Sequence, residues 1–175
     1  MSYTYLAASL PELTLGQPPP MGLGTFTAQC QGVLEAPALW DVQQLVQGDF
    51  LELSTTPGQK WQALETQIRN ETATALRPNQ DLTHPFFIGY SVFVRDCVRR
   101  AFDAATPLER ERILDRGRFA LLADLAGHDP LGLSRIVSFA GQLRLVHRWA
   151  VWDQETGRER FDEMVATVAE AVLAQ

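Results

Sequence analysis

At 175 residues, with 46% apolar and 21% charged residues, the chain has ordinary globular usage and the length of one domain, which excludes gross disorder. Such a chain builds its core without a metal or disulfide staple. The formal net charge of −6 argues against a duplex nucleic-acid binder, because displacing counterions from phosphates takes a surplus of basic residues. Arg95, Arg99 and Arg100 make only a local basic patch.

Residues Tyr3 to Leu10 are rich in Tyr and Leu and stop at Pro11, and we read them as a short extended arm. A lone strand needs a partner for its backbone groups, so the arm either lies over the bundle or offers self-association with a second chain. Gly16 to Pro20 follows as a stiff polyproline-type spacer. A weak amphipathic helix is expected over Thr25 to Leu34, and Pro37 opens another that ends before Gly48. Thr56-Pro57-Gly58-Gln59 has the form of an N-cap, a proline in the first turn and a Gln three residues on. The helix it opens carries Trp61, Leu64 and Ile68 and ends at Pro78. A long apolar helix is predicted from Pro85 to Ala104, with an apolar arc wide enough to make it central.

Thr106-Pro107-Leu108-Glu109 is the clearest capping box, and Gly127 offers a left-handed C-cap to the helix it starts. Asp129-Pro130 begins the next helix at once, which makes the two antiparallel neighbours. A last helix covers Glu155 to Leu173. The expected fold is all-α: a bundle of about six to seven helices with a short extended N-terminal arm. The arm and spacer occupy residues 1–20 and a single helical domain occupies 21–175.

Catalytic patterns are absent from the sequence. His84, His128 and His147 lie in no HxxxH, HExxH or CxxC frame, and Cys30 and Cys97 read as small buried hydrophobes. No phosphate-binding loop or nucleophile elbow occurs, so no catalytic residue, cofactor or metal ligand is assigned. The carboxylates of Glu109, Glu111 and Asp115 alternate with Arg110, Arg112, Arg116 and Arg118 in the manner of a solvated helix face laced with ion pairs. Trp149 and Trp152, flanked by Arg144 and Arg148, gather the residue types favoured at interface hot spots. No secretory signal is visible and no apolar run reaches the ~20 residues of a membrane span, so a cytoplasmic protein without membrane insertion is expected.

Several blocks carry a resemblance. They are Tyr3-x-Tyr5-Leu6-x-Ala8-Ser9-Leu10-Pro11 with its Pro-rich spacer, Trp61 to Asn70, Leu114-Asp115-Arg116 with Arg118-Phe119, Ser138-Phe139-Ala140, Arg148-Trp149 and Gly157 to Phe161. Together they resemble a family encoded beside bacterial V/A-type ATPase subunits, distantly similar to the C and d subunits of rotary ATPases. The resemblance implies a non-catalytic, all-α accessory or central-stalk component. Its partners would be rotary ATPase subunits, which would bring it to the membrane periphery. Those C and d subunits are considerably longer, which favours the alternative of a stand-alone adaptor or assembly factor. Polar residues on otherwise apolar helices, Glu65, Arg69, Asn70 and Asp115, would then line the partner surface together with Arg144, Arg148, Trp149 and Trp152. A reading from the enzyme class puts a histidine–carboxylate site around His147.

Overall fold

The computed structural model describes residues 3–78 and 89–150. Every regular element in them is a helix: α1 (Tyr3–Ser9), α2 (Leu23–Gln31), α3 (Ala36–Gln47), α4 (Thr56–Leu76), α5 (Val92–Phe102), α6 (Pro107–Gly127) and α7 (Leu133–Ala150). The fold is therefore an all-α bundle. Trp152, the helix expected over Glu155 to Leu173 and the block Gly157 to Phe161 lie outside the described residues, as do His84 and the first residues of the helix expected from Pro85.

Residues 3–9 correct the first expectation, because they form a helix and not an extended arm. Leu6, Ala7 and Leu10 fall on one side and are buried against the bundle, and a helix satisfies its own backbone without a partner strand. Ser9 Oγ donates to the Leu6 carbonyl 2.8 Å away, and Pro11 blocks any extension. The arm thus lies on α7 of its own chain, and Arg135 ties Pro11's carbonyl to that helix at 3.5 Å.

The central helix is α7, not the one expected from Pro85. Every residue of α7 from Ile136 through Leu143 is buried, and α1, α2, α3, α4 and α6 all pack on it. Small residues make this approach feasible. A Cβ on Gly141 would stand 2.9 Å from Leu122 Cδ1, so a larger residue there would have to push the Leu122 side chain aside. By contrast α5 starts only at Val92, behind a Ser91 N-cap, and buries one face through Val94, Cys97, Val98 and Ala101. Phe93 on that helix remains 44% exposed.

Helix ends follow the capping rules with three shifts. Thr106 caps α6 as expected, its side chain accepting from the Glu109 N–H at 3.2 Å. Thr55, not Thr56, caps α4. The choice is made by Asp41 of α3, which accepts hydrogen bonds from the Ser54 and Thr55 N–H groups (2.7 and 2.9 Å) and from the Thr55 hydroxyl. The left-handed C-cap falls at Gly48 (φ +89°) and not at Gly127, which is the last helical residue of α6. The α6–α7 turn is also longer than expected, since α7 begins at Leu133 and not at Asp129. The pairing is antiparallel: Gly141 meets Leu122, Gln142 donates to the Phe119 carbonyl, and Arg148 reaches Asp115 and Glu111.

Candidate functional site

Three helices carry an ionic network at the end of the bundle where α7 finishes. On α6, Glu111, Asp115 and Arg118 recur at spacings of four and three, the same stripe that continues into buried Leu122 and Leu125. The stripe therefore turns inward. Asp115 is fully buried and accepts three hydrogen bonds, from Arg118 Nη1 (2.9 Å), Arg148 Nη1 (3.0 Å) and Trp149 Nε1 (3.0 Å). Arg118 also reaches across to α4, where its Nε and Nη2 donate to the two oxygens of Glu65 at 2.9 and 3.0 Å. Arg148 spends its Nη2 on Glu111 at 2.9 Å.

This forked geometry is the strongest form of carboxylate–guanidinium contact, and each oxygen of Glu65 and Asp115 has a donor. Burial by itself would lower the Arg118 pKa, but Glu65 and then Asp115 outweigh it and hold the guanidinium protonated more firmly than an ordinary arginine. The expectation of a solvated face on α6 is corrected for Asp115 and Arg118, while Glu111 stays partly exposed in its ion pair and Arg112 and Arg116 remain exposed. Arg112 places its guanidinium 5.6 Å from the Trp149 ring.

Beside the network opens a cavity of about 440 Å3 between α3, α4, α6 and α7. Its charged lining consists of Arg69, Arg118, Arg144 and Arg148 facing Asp49, Glu65, Glu111 and Asp115, and its apolar walls include Leu45, Phe50, Trp61 and Leu145. Arg69 is held over the Phe50 ring at 3.9 Å, with Glu65 Oε1 3.5 Å from its Nε. Arg144 donates to the Val46 carbonyl at 3.0 Å, one of the carbonyls left open where α3 ends at Gly48. A side chain at position 48 would overlap the Arg144 guanidinium, so the glycine serves both the left-handed turn and the arginine's seat.

The cavity brings together Glu65, Arg69, Asp115, Arg144 and Arg148 among the residues singled out from the sequence, with Trp149 bonded to its floor. Asn70 is buried on α4 but does not line the cavity. Arg118, Glu111, Trp61 and the Gly48–Phe50 turn went unassigned. The signal for the first two was the i, i+4, i+7 frame shared with Leu122. The turn's role depends on α7 and has no local signature.

His147 does not join this site: its Nε2 lies 2.8 Å from the Met21 carbonyl, and it is not among the cavity residues. Among the described residues no group of three or more His, Cys, Asp or Glu is placed to hold a metal ion, and no helix is long and apolar enough to cross a membrane. Cys30 and Cys97 are free and buried.

No curated protein and no solved structure matches the chain. Residues 59–172 match a protein-family model described as a protein of unknown function, DUF2764. The match spans more than half of the chain and includes every ion pair described above. The chain is a member of the DUF2764 family.

Proposed function

We propose that this chain is a non-catalytic protein-binding component, and that the open cavity between α3, α4, α6 and α7 receives a segment of its partner. The observation that carries the reading is the construction of that cavity. Its floor is cross-braced by Glu65, Asp115, Arg118 and Arg148, while Arg69 remains reachable from outside. A preorganised receptor gains affinity because little has to be ordered on binding. Arginine and tryptophan around a concave apolar surface also match the composition of interface hot spots.

The resemblance to the C and d subunits of rotary ATPases supplies the partner. In this reading the chain is an accessory or stalk component of a bacterial V/A-type ATPase, or an assembly factor for it. Affinity purification of the tagged full chain from its own cells, followed by mass spectrometry, tests the assignment. Rotary ATPase subunits at constant stoichiometry support a resident subunit, and substoichiometric recovery supports an assembly factor. Recovery of the chain alone, from lysates in which the ATPase stays intact, would overturn both.

A further inference from the structure

The cavity's four arginines and four carboxylates match in number but not in pairing, and the mismatch has a location. Arg118 is fully engaged by Glu65 and Asp115 through Nε, Nη1 and Nη2. Arg148 is engaged by Asp115 and Glu111. The fourth lining carboxylate, Asp49, turns one oxygen back onto its own loop and accepts from the Phe50 and Leu51 N–H groups at 2.7 and 3.1 Å. That leaves Arg144 without an ion pair among the described residues, and Arg69 with only a 3.5 Å contact to a Glu65 already claimed by Arg118. Burial and then the neighbouring Arg148 both lower the Arg144 pKa, as befits a guanidinium whose charge is poorly compensated.

The two under-compensated arginines bracket one short turn. Arg144 lies against Gly48, and Arg69 covers Phe50 two residues later. Trp61 and Leu45, each more than nine-tenths buried, line the same cavity, so an anion entering here meets an apolar edge as well as guanidinium. The buried carboxylates of Glu65 and Asp115 set an upper limit on the charge a ligand can bring, because a dianion would be repelled by them.

We propose that this cavity is a receptor for a single carboxylate attached to an apolar body. As a deepening of the partner-binding reading, on which this identification of the source rests, that carboxylate is an Asp, Glu or chain-terminal carboxylate of the partner protein. It is flanked there by an aliphatic or aromatic side chain. The carboxylate accepts from Arg144, with Arg69 closing over it, and the apolar neighbour lies against Trp61 and Leu45. Binding completes the charge pairing that the chain's own carboxylates leave undone, which is the arrangement in which a charge-assisted hydrogen bond contributes most.

The test uses the purified full chain and three probes: 4-phenylbutyrate, its neutral amide and inorganic phosphate. Binding is followed by the indole N–H resonances of the tryptophans. The expected result is saturable binding of the acid with a shift of the Trp61 signal, and affinity for the amide lower by about tenfold or more. Arg144→Gln should weaken the acid by a similar factor and leave the amide unchanged, whereas Arg135→Gln, at a residue outside the cavity, should do neither. Equal affinity for acid and amide would overturn the proposal, as would phosphate binding as well as the acid. The acid–amide comparison needs no variant, so it stands even if Arg144→Gln fails to fold. Acid binding without capture of any partner from cells would sink the partner reading alone. Capture of a partner undiminished by Arg144→Gln would sink the carboxylate receptor alone.

Discussion

Helix α7 passes from hydrocarbon to ion pairs along its length, and its two halves are stabilised in different ways. Its first half, Ile136 to Leu143, sits in an apolar cluster with Phe26, Cys30, Val42 and Leu122, where Phe26 and Phe139 meet with ring centroids 4.9 Å apart. Its last turns hold Arg148 and Trp149 on the α6 carboxylates of Asp115 and Glu111, with Arg144 on the Val46 carbonyl of α3. Burial of apolar area is non-directional, at roughly 25 cal/mol per Å2, so the first half gains from any good packing. The second half takes charges out of water, which costs several kcal/mol per ion in round terms and is offset only when every partner is in place. The apolar half therefore provides stability, and the ionic half provides a fixed arrangement of groups around the cavity.

The largest effect is expected where that arrangement is broken at its hub. Asp115→Ala leaves Arg118, Arg148 and the Trp149 indole without their shared acceptor and should destabilise the fold by about 3–5 kcal/mol, read from urea unfolding. Phe139→Ala should cost about as much, roughly 3–4 kcal/mol, by opening a cavity in the apolar half. The two halves separate in double variants. Glu65→Leu alone should cost about 3 kcal/mol, and adding Arg118→Met should restore a kcal/mol or so, because it removes a buried charge left with Asp115 alone, while Asp115 keeps Arg148 and Trp149. Adding Phe26→Ala to Phe139→Ala should only deepen the loss. If the ionic double variant is no better than its worse single, the contrast between the halves is wrong.

The same division separates what was legible in the sequence from what was not. Local signals carried through: Thr106-Pro107 caps α6, and Pro37 and Pro57 sit in first turns as their fixed φ requires. Amphipathic spacing located α3, α4, α6 and α7 to within a few residues. Long-range choices did not show. Thr55 displaces Thr56 as a cap only because Asp41, fourteen residues earlier, holds its hydroxyl and N–H. Helix α7 becomes central through Gly141 and Ala140, small residues that read as weak in any hydrophobic count. Of the candidate site, polar residues placed on apolar helices were the useful signal, and Glu65, Arg69, Asp115, Arg144 and Arg148 do converge on one cavity. Arg118 hid within an alternating charge run, where only its phase relative to Leu122 distinguishes it from the exposed Arg112 and Arg116.

Smaller effects are expected where the two halves adjoin through α3. Asp41→Ala removes the acceptor for two N–H groups and the Thr55 hydroxyl and should cost about 2–3 kcal/mol, with the start of α4 losing amide-exchange protection first. Gly48→Ala should cost about 1–2 kcal/mol, since alanine is strained at φ +89° and its methyl displaces the Arg144 guanidinium. Its larger consequence should appear in binding: phenylbutyrate affinity should fall with it, although no cavity arginine has been changed. Unchanged affinity would mean that the seat of Arg144 against Gly48 is irrelevant to the cavity.

The smallest effect probes how firmly the apolar half excludes an unpaired charge. Burial raises the Cys30 thiol from an ordinary 9.0 to about 12. The folded chain thus keeps a proton that the unfolded chain releases above pH 9.0, and stability falls as pH rises from there toward about 12. One pH unit above the unfolded value, the loss attributable to Cys30 should be about 1 kcal/mol. Because other groups also titrate in alkali, the informative quantity is the stability gap between the wild type and Cys30→Ala. At neutral pH the wild type should be the more stable, since alanine leaves a void beside the core, and the gap should shrink as the pH passes 9.0. A gap independent of pH would mean that the thiolate finds a donor or water inside the cluster. The apolar half would then host a charge as the ionic half does, and the distinction between them would reduce to how many arginines each contains.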